Sequence, residues 1–366
     1  MAKHPYETIP AYASWRRAFQ DVPMSEVDPV ARFPFKVGPT DKVATAGSCF
    51  AQHIARRLRA GGFTYFVTEP GHPLLGEKLR AEFGYGVFSA RYGNIYTTRQ
   101  LLQLFARCYG EFVPAEDVWR ERGRFLDPFR PTIQPGGFAS EQELRADRAQ
   151  HLAAVRRMFE ELDVFVFTLG LTEGFVSRLD GAAFPVCPGV AGGEFDPDRH
   201  VFVNERVAEV VENLGAFIAG LRRVNPRSRV ILTVSPVPLK ATAEDRHVLQ
   251  STVYSKSVLR VAAQEIADSH RDVAYFPSYE IITGAYARGA YFGPDLREVE
   301  EAGVEHVMRL FFRHATTTGS AQAAPAPWAV AAPRRADRHI ARAKAAAALV
   351  CDEELLDLAP LSETAA

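Results

Sequence analysis

Lys42-Val43-Ala44-Thr45-Ala46-Gly47-Ser48-Cys49-Phe50 runs directly into Ala51-Gln52-His53-Ile54-Ala55-Arg56-Arg57-Leu58. The short apolar run reads as a strand, Gly47 supplies a sharp bend, and the apolar residues that follow recur at helical spacing. Strand, tight turn and helix in that order begin an α/β sheet, and a serine at the turn stands at the carboxyl edge of its strand. Ligands of open α/β sheets bind in the crevice outside those edges, where a helix N-terminus also offers free N–H groups to negative charge. From the turn alone Ser48 is either a nucleophile or a plain helix cap.

Composition narrows the classes. The chain of 366 residues is 47% hydrophobic and 24% charged, enough for one large core with an appended subdomain. Its 43 Lys+Arg and 44 Asp+Glu leave a formal charge of −1, so neither nucleic acid nor a membrane surface is expected as a partner. Cys49, Cys108, Cys187 and Cys351 lie too far apart for a zinc knuckle or a disulfide framework, and no His or carboxylate pair with ligand spacing stands near a motif, so no metal is expected. Met1 precedes no apolar leader, and no run approaches about 18 apolar residues; the expectation is a cytoplasmic, soluble protein with free thiols.

Along the chain, residues 1–40 carry Pro5, Pro10, Pro23, Pro29, Pro34 and Pro39 among Tyr6, Trp15 and Phe19, which describes an arm docking its aromatics on the domain. Phe63 to Val67 reads as a second strand. Ser140-Glu141-Gln142-Glu143 is a capping box opening a long helix, which delivers the unbroken apolar run Asp163 to Leu169, a parallel strand covered on both faces. Residues 177–203, broken by glycines and prolines, read as a binding loop lining the cleft, after which Asn204 caps a helix. Arg229 to Ser235 is a further strand and Val273 to Glu280 the last strand and its exit, with a helix over Tyr254 to Ser269 between them. Alternating strands and helices give one α/β domain over residues 41–314, with a parallel sheet between two helical layers. Residues 315–334 read as an Ala/Pro-rich linker, and 335–366 as a helical tail, basic first and acidic at Asp352, Glu353 and Glu354, docking on the domain or on a second copy.

Gly47-Ser48-Cys49-Phe50-Ala51 also spells the signature of the GSCFA family, which resembles the SGNH (GDSL-type) hydrolases over roughly residues 40–315. The resemblance implies a flavodoxin-like SGNH-type three-layer sandwich and makes Ser48 the nucleophile of an esterase or O-acyltransferase. Gly93-Asn94 resembles the second block, so that Ser48, Gly93 and Asn94 contribute to an oxyanion hole. At Gly170-Leu171-Thr172-Glu173, Thr172 stands where those enzymes carry an asparagine donor and Glu173 where they carry an acidic residue. A threonine hydroxyl donates too, but it is shorter and rotates freely. Arg91, Arg130 (in Asp127-Pro128-Phe129-Arg130-Pro131) and Glu173 are the substrate-binding candidates.

The last block departs from the pattern. Asp295-Leu296-Arg297-Glu298 keeps the aspartate of D-x-x-H but carries Glu298 in the histidine's position. His306 falls in the next helix, roughly 16 Å of helical rise beyond Asp295 if the helix starts there. Three readings of the base stay open: Glu298 with a raised pKa, a histidine folded in from elsewhere (His53, His247 or His306), or a site that has lost hydrolysis and binds. The family association implies acyl esters of a sugar or polysaccharide as substrates, with no cofactor for hydrolysis and an acyl donor such as acetyl-CoA for transfer. The alternative is a catalytically impaired glycan-binding or assembly protein. Docking of the C-terminal helix on a second copy would give a homo-oligomer, docking on its own domain would not, and both stay open.

Overall fold

The computed structural model describes residues 4–317 and 352–358. Its strands are β1 (Val43–Gly47), β2 (Trp119–Glu121), β3 (Arg124–Leu126), β4 (Val164–Leu169), β5 (Glu173–Ser177), β6 (Ala183–Phe184), β7 (His200–Asn204), β8 (Arg229–Val234) and β9 (Val273–Tyr275). Its helices are α1 (Trp15–Phe19), α2 (Phe50–Ala60), α3 (Glu77–Glu82), α4 (Thr98–Cys108), α5 (Glu141–Glu161), α6 (Val207–Val224), α7 (Val248–Ser269), α8 (Ser278–Thr283) and α9 (Glu301–Ala315).

The central sheet runs β1-β4-β8-β9 and is parallel throughout, with Gly47 opposite Thr168 and Thr168 opposite Thr233 at its carboxyl edge. Every residue of β4 is buried, as expected for a strand flanked and covered on all sides. Strand periodicity divides the core in two. Phe165, Phe167 and Leu232 face α4, α5, α6 and α7, whereas Val164, Val166 and Ile231 face α2, α8 and α9. The result is the three-layer α/β arrangement that the alternating pattern predicts.

Four local expectations are corrected. Phe63 to Val67 lies beside β1 but forms only one bridge, Val43 to Tyr65; the Tyr65 N–H turns back to Phe63 O at 2.9 Å in a tight local turn and is lost to the ladder. Residues 177–203 do not form a long loop: β5 pairs antiparallel with both β6 and β7 in a separate three-stranded sheet. Asn204 ends β7 and is not a cap, since Arg206 holds the N-cap position of α6. Helix α7 begins at Val248, earlier than its apolar stripe suggests, because the ring of His247 accepts the Leu249 N–H at 3.1 Å and caps it.

The N-terminal arm docks chiefly through Val27, Val30 and Val37, with Phe19 stacked on Tyr286; Tyr6, Tyr12 and Trp15 stay exposed. No helix among the described residues is long and apolar enough to cross a membrane. Of the expected linker and helical tail, residues 318–351 and 359–366 lie outside the described residues, while Ala315 ends α9 and Thr316 bridges to Val37. Asp352–Leu358 forms a 3-10 helix, and its first two residues are buried.

Candidate active site

Gly47 ends β1 at φ 136°, a value open to glycine alone, and a Cβ there would stand 2.3 Å from Thr168 O. The two strands therefore close tightly and hold Ser48 at the sheet's carboxyl edge. Ser48 is 4% exposed, and its hydroxyl has no hydrogen-bond partner among the described residues. Its N–H donates to Thr168 O at 3.3 Å. Gly170 packs against it: a Cβ on Gly170 would meet Ser48 Cβ at 3.2 Å.

The second block comes to the same edge. The Ile95 N–H donates to Gly47 O at 2.9 Å, which binds this turn to the strand that leads to Ser48. Gly93 takes φ 71° with open space where a side chain would lie, and Asn94 is buried beside it. Helix α4 then starts with a capping box in which Thr97 accepts the Gln100 N–H. Thr172 is buried next to Gly170, but its hydroxyl donates to Asn204 Oδ1 at 2.7 Å, so it is committed elsewhere than to an oxyanion. Glu173 likewise accepts from the Thr242 hydroxyl.

None of the catalytic candidates from the last block hydrogen-bonds the Ser48 hydroxyl among the described residues. Asp295 is exposed, and its carboxylate accepts the N–H groups of Arg297 and Glu298 in a local turn. Glu298 is half-buried. His306 has both ring nitrogens engaged, Nδ1 with the Tyr291 hydroxyl at 2.7 Å and Nε2 with Val27 O at 2.8 Å, and ties the arm to α9. His53 packs on Phe50, and burial with Arg56 and Arg57 nearby brings its pKa down to about 4.

The residue that sequence reasoning missed is Lys256. It is 1% exposed on α7, and its Nζ donates to Gly170 O at 2.7 Å, on the glycine that packs against Ser48. Burial lowers its pKa to about 8, opposed by the charges of Glu353 and Cys49. The signal was present: Lys256 sits three residues before Leu259 and seven before Ala263, on the apolar stripe of the helix, where a lysine is out of place.

Arg91 and Arg130 are held in a buried network. Arg91 donates to Asp147 at 2.7 Å and to Phe83 O, while Arg130 donates to Asp127 at 3.0 Å and Asp147 at 2.8 Å. Arg130 also lines two hollows that meet at Asn94, of about 390 and 200 Å³. Burial pushes the pKa of Glu69 up, but His151, the Arg91 N–H and Arg130 outweigh it and hold the carboxyl at about 2. Burial also opposes ionisation of Asp127, yet Arg130, Arg148 and Arg107 keep it below the usual carboxylate range.

Both pKa values are depressed on folding, so the stability they contribute is complete above the unfolded values and is lost as pH falls through the folded ones. Urea unfolding is expected to show Glu69 losing on the order of 3 kcal/mol between about pH 4.5 and pH 2, and Glu69→Gln to flatten that part of the profile. An earlier loss between about pH 6.5 and pH 4 belongs to the buried neutral rings of His53 and His306, which the unfolded chain protonates first; burial is the main cause in each.

No group of three or more His, Cys, Asp or Glu side chains able to hold a metal occurs among the described residues. Cys49, Cys108 and Cys187 form no disulfide among the described residues, and Cys351 lies outside them.

A buried serine at a strand–helix turn, tied through Gly47 to the turn that precedes α4 and through Gly170 to the lysine of α7, stands at the carboxyl edge of the sheet of this α/β protein. The chain belongs to the GSCFA family, which it matches over residues 42–311. Among solved structures, one described as a candidate platelet activating factor from Streptococcus pneumonia is similar at 17% identity and a TM-score of 0.26, covering 46% of this chain. The match spans 64% of that protein's length. No curated protein matches the chain.

Proposed function

We propose that the protein is a serine-dependent esterase or O-acyltransferase of SGNH type, acting on acyl esters of a sugar or polysaccharide through an acyl-serine at Ser48. The observation that carries the reading is the unpartnered, buried Ser48 hydroxyl packed against Gly170, whose carbonyl in turn holds the amine of Lys256. Lys256 replaces the histidine that D-x-x-H would supply. An amine whose pKa burial has brought down to about 8 is neutral in a useful fraction of molecules near neutral pH, and serine–lysine pairs are an accepted variant of the triad.

Lys256 Nζ rests on Gly170 O and does not hydrogen-bond Ser48 Oγ, so it first turns to the serine; the neutral amine then takes the Ser48 proton as Oγ bonds to the ester carbonyl carbon. The carbonyl π electrons move to oxygen, and the oxyanion is met by Gly93 and the Asn94 amide. Collapse expels the alkoxide, which takes the proton back from Lys256. Water, or a sugar hydroxyl in the transfer reaction, then releases the acyl group by the same steps in reverse. In transfer the acyl donor is an activated ester of the acetyl-CoA kind.

Incubation with a fluorophosphonate ester followed by peptide mass spectrometry tests the nucleophile. The expected result is one adduct per chain, on Ser48. Labelling of Cys49, or of no residue in this turn, rules the assignment out.

A second reading, a glycan-binding protein that retains the crevice without turnover, draws on one observation: the chain's own Asp352 occupies Asn94. It predicts sugar affinity that survives Ser48→Ala and no ester turnover in the unmutated protein.

A further inference from the structure

Asp352-Glu353-Glu354 returns from the far end of the chain to the crevice, and its carboxylates are received by built partners. Asp352 Oδ2 accepts from Asn94 Nδ2 at 3.0 Å, Oδ1 accepts from the Thr132 hydroxyl at 3.0 Å, and the Asp352 N–H donates to the Tyr96 hydroxyl at 3.2 Å. Arg297 spans the next two residues, 2.9 Å to Glu353 and 2.6 Å to Glu354, and Lys240 Nζ stands 3.5 Å from Glu354. Asn94 is 2% exposed, and Asp352 and Glu353 are buried with it at 4% and 8%.

If Asn94 is the oxyanion donor of the proposed reaction, the segment that takes its amide stands in the way of an acyl ester. The set of donors is specific for carboxylates: an amide, a hydroxyl and a guanidinium placed to fork between two acids. Surface tails gain little from single exposed ion pairs, but here two carboxyl groups give up their water, and burial raises the pKa of both Asp352 and Glu353 against the pull of Asn94, Thr132 and Arg297. Asp352 also lines the smaller hollow, together with Gly93, Asn94, Arg130 and Thr132.

We infer that Asn94, Thr132, Lys240 and Arg297 form a carboxylate-binding subsite beside Ser48, that its external ligand is an acidic, uronate-type sugar chain, and that the chain's own Asp352-Glu353-Glu354 occupies it as a built-in competitor. The sugar class rests on the reading of Ser48 as an acyl-transfer site for glycan esters; the carboxylate chemistry rests on the contacts alone. The segment opposes turnover in a second way, because the charge of Glu353 favours the protonated form of Lys256. Displacing it opens the Asn94 amide and frees the amine together.

The test is equilibrium calorimetry on the full chain with trigalacturonate as the acidic probe and maltotriose as the neutral one, at low salt. The variant D352N/E353Q/E354Q is expected to bind trigalacturonate at least about ten-fold more tightly than the unmutated protein, with no gain for maltotriose. Adding Arg297→Ala to that variant is expected to remove the gain. Equal affinity with and without the tail charges, an equal gain for the neutral sugar, or a gain that survives Arg297→Ala overturns the subsite. Capture of a free acidic peptide of the tail sequence without capture of trigalacturonate overturns the sugar class. Because binding is read without turnover, a protein that binds the acidic sugar but takes no phosphonate at Ser48 sinks the esterase reading and leaves the subsite standing.

Discussion

Gly47→Ala is expected to destabilise the protein by more than about 4 kcal/mol, enough to leave it largely unfolded or aggregated on expression. Two independent terms add. The backbone stands at φ 136°, which L side chains rarely adopt, and the new methyl would lie 2.3 Å from Thr168 O and 2.8 Å from Thr168 N. Those atoms are backbone of β4, the central strand, paired on both sides with β1 and β8, so they have nowhere to move. Relief would require β1 to part from β4 at the edge that carries Ser48. Gly215→Ala is the matched control: Gly215 lies inside α6 with no atom within 4 Å of a new Cβ. There the substitution should stabilise by about 0.5–1 kcal/mol through helix propensity and a less free unfolded chain. Urea midpoints for the two variants decide it. A Gly47→Ala protein within about 1 kcal/mol of the unmutated one would show that the strand edge is softer than its contacts imply.

The sheet was legible because its signals are local. Val164 to Leu169 is apolar at every position, and Ser140 and Glu143 announce the start of α5, where the Ser140 hydroxyl accepts the Glu143 N–H at 3.1 Å. Gly47-Ser48 and Gly93-Asn94 were legible as turns because each needs a backbone that only glycine accepts readily. The β5–β7 sheet was not. Its strands are short, two to five residues, and are separated by the glycines and prolines that mimic a loop.

The site divides along the same line. Residues on one turn, such as Ser48, could be placed from the sequence, whereas partners supplied by distant elements could not. Thr172 matches the motif position, yet Asn204, 32 residues on, takes its hydroxyl. Arg130 reads as a free cation until Asp127 and Asp147 fold against it. Asp352 reaches Asn94 across 258 residues, a pairing that no spacing rule anticipates. Lys256 is the intermediate case: its place on an apolar stripe was visible, but what it faces was not.

Lys256→Met should reduce ester turnover by about 10²–10⁴-fold while leaving the fold intact, and Ser48→Ala should take turnover to background. Methionine fills nearly the same volume and removes a buried amine. The fold loses one hydrogen bond to Gly170 O but is relieved of a desolvation cost, so the net change in stability should stay within about 1–2 kcal/mol. Ser48→Ala removes a hydroxyl that bonds no group among the described residues and should be milder still. If the two side chains act as one unit, the double variant will be no worse than Ser48→Ala alone, because a base without its nucleophile has nothing to deprotonate.

The pH profile separates a proton acceptor from a packing residue. Burial holds Lys256 down to about 8, so kcat/KM should climb with pH to about that value and then level off. In Lys256→Met the residual rate should lose that rise. Glu298→Gln provides the decisive contrast, since Glu298 stands in the motif's histidine position while Lys256 stands against Gly170. If Glu298→Gln abolishes the pH dependence and Lys256→Met keeps it, the proton leaves Ser48 toward the last block after all, and the lysine serves only to hold Gly170 in place.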